Sequence, residues 1–190
     1  GCTYPTVARA TRNLAGYLQR DSRRRIELSR FPKDEWFRLL AEADRSRSTM
    51  NFVDRSGQPR SPESLMRRLL KTGIQTVGVG GVLGAKHHYP DLNLVGSPRL
   101  DLSVHCPGDW VDLGFVEHLD PALRLKEISG EPANLVIHFI RRKESLFIKA
   151  QDDQVWADPV ECLLDLSEAR MESQALEFLQ YYIRQRQATL

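Results

Sequence analysis

The sequence predicts a mixed α/β fold. Apolar residues spaced three and four apart, as in helices, alternate along the chain with short β-branched runs. The 190 residues are 41% hydrophobic and 27% charged, so the chain has enough apolar material for a buried core. The 12 glycines and 10 prolines follow no period, which excludes collagen-like and low-complexity chains.

The sequence predicts no membrane segment. The longest apolar stretch, Val77 to Ala85, is nine residues long and includes four glycines, whereas a membrane helix needs about 20 apolar residues. No basic and then apolar leader is present. The three cysteines, Cys2, Cys106 and Cys162, form no C-x-x-C pair, so they indicate reduced thiols. We therefore expect a cytoplasmic protein without a cofactor.

The net charge of +2 hides an uneven distribution. Residues 1–75 carry 16 Lys and Arg against 8 Asp and Glu, and residues 76–190 carry 11 against 17. All the basic residues of the first segment except Lys33 and Lys71 are arginines, which suit forked contacts with phosphates and guanine edges. This asymmetry indicates a nucleic-acid-facing segment joined to a segment with another role.

The first predicted element is a helix beginning at Thr3, which can cap it, with Pro5 in the first turn. Its apolar positions follow helical spacing, so its polar face is free to enter a major groove as a recognition helix. The residues that we expect to read bases or to position this helix on double-stranded DNA are Thr3, Tyr4, Thr6, Arg9 and Arg12.

The next segment resembles the wing of a winged helix-turn-helix. An Asp21-Ser22 turn and an arginine triplet precede an alternating, strand-like run over residues 26–31. Arg23, Arg24 and Arg25 are expected to bind DNA phosphates. A solvated basic face on an ordinary helical hairpin is the alternative interpretation.

The following segments place a domain junction near residue 45. Acidic residues in the first turn and helical spacing predict a helix over residues 32–43. Residues 44–58 are polar apart from the short apolar insert 50–53, so we expect domains at 1–45 and 46–190. Ser61 as N-cap and Gly73 as stop then define a further helix.

A glycine-rich turn, Gly78 to Gly84, follows a buried strand and leads into a helix over residues 82–88. The dinucleotide-binding pattern would need a third glycine where Leu83 stands, and a phosphate loop would need Gly-Lys-Ser/Thr. Close packing of the helix on the strand explains these glycines without a ligand.

Gly80-Gly81, followed by Asp101 on a predicted strand, is also similar to the nucleotidyltransferase pattern. That chemistry needs a second carboxylate, and Ser103 stands in its place. The five histidines, His87, His88, His105, His118 and His138, lack metal-ligand spacing and are expected at the surface or satisfied in the core. We therefore expect no catalytic residue, no metal ligand and no enzyme; a degenerate nucleotide-binding or nucleotidyltransferase-like enzyme using Asp101 is the alternative.

Beyond this turn, a short amphipathic helix is expected over residues 109–119, and strands over 122–126, 135–140 and 145–148. Asp158 and Glu161 form a predicted capping box. A last helix from about residue 167 carries an apolar stripe that serves as core or as the face of a homodimer.

Two stretches carry a resemblance to known proteins. Gly1-Cys2-Thr3-Tyr4-Pro5-Thr6-Val7-Ala8-Arg9 resembles the turn and recognition helix of winged-helix regulators, whose first two helices would then lie before Gly1. Val155-Trp156-Ala157-Asp158-Pro159-Val160-Glu161-Cys162-Leu163-Leu164-Asp165-Leu166 is similar to the ending of AbiEi-type proteins, antitoxins of type IV toxin–antitoxin systems. Gly84 stands where that family has alanine.

The resemblance implies a partial winged helix-turn-helix over residues 1–45, followed by an α/β domain over 46–190 similar to an inactive nucleotidyltransferase. It implies a DNA-binding transcriptional regulator that represses its own promoter. It also implies a functional partner, a nucleotidyltransferase toxin that is countered without direct contact.

Overall fold

The computed structural model describes residues 4–20, 26–93, 99–108 and 111–188. The chain forms two compact units, residues 1–45 and 46–190. The described residues contain seven α-helices and a seven-stranded mixed sheet, which confirms the mixed α/β class. No helix in these ranges is both long and apolar enough to cross a membrane.

The N-terminal unit is a helix, a hairpin and a second helix. Helix α1 (Tyr4–Asn13) and a 3₁₀ turn (Ala15–Tyr17) precede strands β1 (Leu18–Arg20) and β2 (Ile26–Leu28). The two strands are antiparallel, with Leu18 opposite Leu28 and Arg20 opposite Ile26. Helix α2 (Lys33–Ser46) follows. The acidic residues in its first turn stabilise the helix, because its N-terminal end carries the positive end of the helix dipole.

The C-terminal unit is built on the seven-stranded sheet, in the order β6-β3-β7-β5-β4-β9-β8. Neighbours pair antiparallel except β5 with β7 and β4 with β9, which are parallel. The strands are β3 (Thr49–Asp54), β4 (Val77–Val79), β5 (Leu100–His105), β6 (Leu123–Leu125), β7 (Leu135–Ile140), β8 (Ile148–Lys149) and β9 (Val155–Trp156). The helices are α3 (Pro62–Thr72), α4 (Gly81–His88), α5 (Phe115–Leu119), α6 (Pro159–Glu168) and α7 (Glu172–Ala188).

The core lies around the two central strands, β5 and β7. Five of the six residues in each strand are buried, because both faces of the sheet are covered at this point. The apolar side chains of Leu100, Leu102, Leu135 and Ile137 are completely buried. Three polar residues on these strands, Asp101, Ser103 and His138, are buried among them, and Asp101 and His138 mark the candidate site.

The predicted caps at Ser61, Gly73 and Asp158 are confirmed. The Ser61 side chain accepts a hydrogen bond from the Ser64 amide, and Gly73 ends α3 in the left-handed conformation at φ 68°. Asp158 caps α6 by accepting from the amides of Val160 and Glu161. The Glu161 carboxylate, predicted to complete a capping box with Asp158, binds Arg47 and Arg142 instead, as described below.

The apolar insert over residues 50–53 lies beyond the division at residue 45, inside the second unit. This apolar insert is part of β3, which lies inside the sheet and pairs with β6 on one side and β7 on the other. Polar flanking residues suggested a junction, but the strand's hydrogen-bond partners come from residues 123–138, which local sequence does not reveal.

Three further predicted elements differ from the structure. Helix α5 begins only at Phe115, after the Asp112 carboxylate has accepted a hydrogen bond from the Gly114 amide. Strand β8 begins at Ile148, because Leu146 has a φ of 57°, which interrupts extended backbone. The last helix, expected to begin near residue 167, begins at Glu172. Residue 167 still belongs to α6, and the left-handed φ of 58° at Arg170 separates the two helices.

Candidate functional site

The predicted DNA-binding residues belong to the N-terminal unit. Tyr4, Thr6, Arg9 and Arg12 lie on α1, and both arginines are exposed. The two arginines are three residues apart, so they project from neighbouring positions of the helix. Four further predicted residues lie outside the described ranges: Thr3, Arg23, Arg24 and Arg25.

The β1–β2 hairpin follows α1 directly. Its pairing begins beside the helix, where the Ser29 amide donates a 2.7 Å hydrogen bond to the Tyr17 carbonyl. The Arg30 guanidinium lies 4.8 Å from the centre of the Tyr17 ring, in a cation–π contact. The segment that connects the strands, residues 21–25, carries the arginine triplet.

The glycine turn of the C-terminal unit brings Gly80 and Gly81 against two buried carboxylates. Gly81 has a φ of 54°, and a Cβ added there would lie 2.7 Å from the Cβ of Asp101. A Cβ on Gly80 would collide with the Asp165 carboxylate. Both positions therefore require glycine because protein side chains fill the space beside the turn.

Asp165 occupies the place at the start of α4 where an anion would bind. Its Oδ2 atom accepts a 2.8 Å hydrogen bond from the Gly81 amide, and its Oδ1 atom lies 2.7 Å from Nη2 of Arg47. The carboxylate is completely buried. Free amides at a helix start attract phosphates, but here an internal carboxylate uses this donor.

His138 joins the two aspartates. Its Nε2 atom lies 3.1 Å from Oδ1 of Asp101 and 3.4 Å from Oδ1 of Asp165, and its Nδ1 atom lies 3.5 Å from Oε2 of Glu168. Burial alone would lower the pKa of His138, but the charge of Asp165 and the hydrogen bond with Asp101 outweigh burial and raise it.

Three arginines surround this centre. Arg47 also binds Glu161 at 3.1 Å and Glu168 at 3.4 Å; burial would lower its pKa, but the carboxylates raise it. Burial, with the nearby Asp165 and Asp158, raises the pKa of Glu161 despite Arg47. Two outer arginines complete the set: Arg99 binds Asp101 at 3.0 Å, and Arg142 binds Asp158 and, at 3.2 Å, Glu161.

We call these residues the buried charge network: Arg47, Arg99, Asp101, His138, Arg142, Asp158, Glu161, Asp165 and Glu168. Its carboxylates are held by arginine, histidine or backbone donors, which is the condition for burying charge. Ser103, in the place of a second carboxylate, has a buried hydroxyl with no hydrogen-bond partner among the described residues. Within the described ranges, no three His, Cys, Asp or Glu side chains are arranged to hold a metal ion.

Gly80, Gly81 and Asp101, which follow the nucleotidyltransferase pattern in sequence, lie together in the structure. His138, Asp165 and Arg47 were not predicted as site residues. A single histidine within the apolar run 135–140 was the available signal for His138. Asp165 and Arg47 carried no such signal, because they are 118 residues apart and the Gly81 amide is 84 residues from Asp165.

The chain was also compared with protein-family models, with curated proteins and with solved structures, and none of the three comparisons gives a match.

Proposed function

We propose that the chain is a DNA-binding transcriptional regulator that represses its own promoter and serves as the antitoxin of a type IV toxin–antitoxin system. One observation carries the DNA-binding part of this proposal. Helix α1, with Arg9 and Arg12 exposed, leads directly into an antiparallel hairpin whose connection contains Arg23, Arg24 and Arg25. A helix followed by a basic hairpin is the arrangement of a recognition helix and its wing.

The charge distribution supports the same assignment. Residues 1–45 carry 10 Lys and Arg against 6 Asp and Glu, and nine of the 10 basic residues are arginines. Residues 46–190 carry 17 against 19. The N-terminal unit is therefore the basic one, as contact with a phosphate backbone requires.

In this proposal the contacts divide by role. Thr3, Tyr4, Thr6, Arg9 and Arg12 read base edges or position α1 in the major groove. Arg23, Arg24 and Arg25 bind phosphates beside it. Phosphate contacts supply affinity and salt dependence, whereas base contacts supply sequence preference.

For the C-terminal unit we propose an inactive, nucleotidyltransferase-like module. The Gly81 amide and Asp101 are both engaged inside the buried charge network, and Ser103 stands in the place of a second carboxylate. The module would counter a nucleotidyltransferase toxin without touching it. Expression of the full-length protein should restore growth to cells producing the toxin encoded beside it.

The DNA-binding proposal is tested by titrating a fluorescent fragment of the protein's own promoter with full-length protein at several salt concentrations. Replacing Arg23, Arg24 and Arg25 by alanine should weaken binding at least tenfold. It should also lower the slope of log affinity against log salt by about 0.9 for each phosphate that the variant no longer binds. The matched control replaces three exposed basic residues of the C-terminal unit, Arg67, Lys86 and Lys143, by alanine.

Equal weakening by both triple variants would reduce the result to a general charge effect and overturn the assignment. So would binding that is independent of salt. Replacing Arg9 by alanine should reduce the preference for the promoter over unrelated DNA more than it reduces the salt slope, because base contacts carry sequence information.

A second candidate is a nucleotide-binding, nucleotidyltransferase-like enzyme. The strand–Gly–Gly–helix turn beside Asp101 favours it. Magnesium with a nucleoside triphosphate should then raise the melting temperature of the protein, and the increase should disappear in Asp101→Asn. No increase in the wild-type protein would exclude this candidate.

A further inference from the structure

A pocket of about 640 Å³ opens between the end of α3 and the start of α5, apart from the buried charge network. Small-molecule sites generally have volumes of about 300–1,000 Å³. The pocket is lined by Arg68, Lys71, Thr72, Ile74, Asp112, Gly114, Phe115 and His118.

The polar lining is predominantly cationic. Within the described part of the chain, neither Arg68 nor Lys71 lies within ion-pair distance of a carboxylate. The opposing carboxylate, Asp112, accepts a 2.8 Å hydrogen bond from the Gly114 amide. The Nδ1 atom of His118 donates to the Gly114 carbonyl, so the neutral ring leaves Nε2 at the pocket as a hydrogen-bond acceptor. Cations without local counterions attract an anionic ligand.

Two apolar side chains of the lining belong to the core or pack against it. Phe115 is 6% exposed and belongs to the core cluster, and Ile74 packs against that cluster. One cationic side chain is also held in place, because Nη1 of Arg68 donates to the Leu119 carbonyl at 3.3 Å. A ligand therefore meets Ile74 and the small exposed part of Phe115, both held by the core, next to a positioned positive charge, which reduces the entropy lost on binding.

We propose that this pocket binds a phosphorylated small molecule of mononucleotide size. The phosphate group lies against Arg68 and Lys71, and the flat ring lies against Phe115 and Ile74. This binding does not depend on the proposed DNA-binding function; where both hold, the small molecule is an effector of the regulator.

Lys71 has a structural role to be separated from ligand binding. It lies in the last turn of α3, where its positive charge stabilises the helix by interacting with the negative end of the helix dipole. A variant of Lys71 therefore lowers the melting temperature slightly even if the pocket is never occupied. The test needs a binding measurement on protein that is fully folded.

The experiment is calorimetric titration of the full chain with adenosine and guanosine monophosphates, with the nucleosides and with inorganic phosphate. We expect saturable binding of a monophosphate, at least tenfold tighter than inorganic phosphate or the nucleoside. Lys71→Gln should weaken binding at least fivefold, and Arg68→Gln should weaken it further. Arg67→Gln, an exposed neighbour on α3 that does not line the pocket, should leave affinity unchanged.

Absence of saturable monophosphate binding at millimolar concentration overturns the proposal. Inorganic phosphate binding as tightly as the monophosphate overturns the assigned ligand class, because the apolar surface would then contribute nothing. Equal losses of affinity in Lys71→Gln and Arg67→Gln overturn the site. Reduced stability of Lys71→Gln with unchanged affinity would also overturn it, because Lys71 would then have its helix-stabilising role alone.

Discussion

The carboxylate of Asp165 accepts a 2.8 Å hydrogen bond from the amide of Gly81, although the two residues are 84 positions apart in sequence. This hydrogen bond connects the start of α4 with the middle of α6. Asp165 also binds Arg47 at 2.7 Å and lies near His138, so one buried side chain connects four segments of the C-terminal unit. Removing this carboxylate should therefore lower the free energy of unfolding.

Asp165→Ala should destabilise the C-terminal unit by about 3–5 kcal/mol, because it leaves a largely buried arginine and a buried amide without their acceptor. Urea unfolding followed by circular dichroism measures the loss as a lower transition midpoint. The matched control is Glu127→Ala, which removes an exposed carboxylate and should change the free energy of unfolding by less than about 0.5 kcal/mol. Equal midpoints for the two variants would show that the Asp165 carboxylate contributes nothing to stability.

Gly81→Ala should destabilise the protein by at least about 2 kcal/mol. The new methyl group would enter the space of the Asp101 side chain, and alanine is strained at a φ of 54°. Two glycine controls separate these causes. Gly73→Ala has the strained φ of 68° with open space around it, and Gly108→Ala has open space without positive φ. We expect the loss of stability to rise from Gly108 to Gly73 to Gly81, and any other order contradicts this account.

His138 should make stability depend on pH. Its pKa in the folded protein is raised above the ordinary value of 6.5, so its contribution is fully present below pH 6.5 and is lost as pH rises through the folded value. The groups facing it are Arg47, Asp101, Asp165 and Glu168. The stability difference between wild type and His138→Gln should therefore be larger at pH 6 than at pH 9.

Denaturant unfolding at the two pH values measures this difference, and we expect a change on the order of 1 kcal/mol. A wild-type advantage that is equal at pH 6 and pH 9 would contradict the raised pKa, because it would mean that His138 has the same pKa in the folded and the unfolded protein.

Cys162 should resist alkylation in the folded protein. Burial, reinforced by the charges of Asp165, Asp158 and Glu161, raises the pKa of its thiol well above the ordinary value. Since the thiolate is the reactive form, iodoacetamide at pH 8 should modify Cys162 at least about 100-fold more slowly in native protein than in urea. Peptide mapping by mass spectrometry distinguishes Cys162 from the other two cysteines. Similar native and denatured rates would contradict its burial.

Predictions made from the sequence succeed where structure is determined by neighbouring residues. Ser61, Gly73 and Asp158 end or begin helices as expected, because a cap contacts residues only a few positions away. Strand β3 and the buried charge network were not predicted, because their contacts join distant segments. Arg47 and Asp165 are 118 residues apart, and no periodicity marks either residue. His138 could be noticed as a polar residue in an apolar run, but its partners could not.

The position of β3 determines where a C-terminal fragment has to begin. A fragment starting in the polar stretch after Asp54 would lack the strand that separates β6 from β7. The edge of β7 would then be left unpaired along its hydrophobic length, which invites aggregation between copies. The same cut would remove Arg47 and leave Asp165 buried without its arginine partner. A fragment that begins at Ser46 retains both the strand and the arginine.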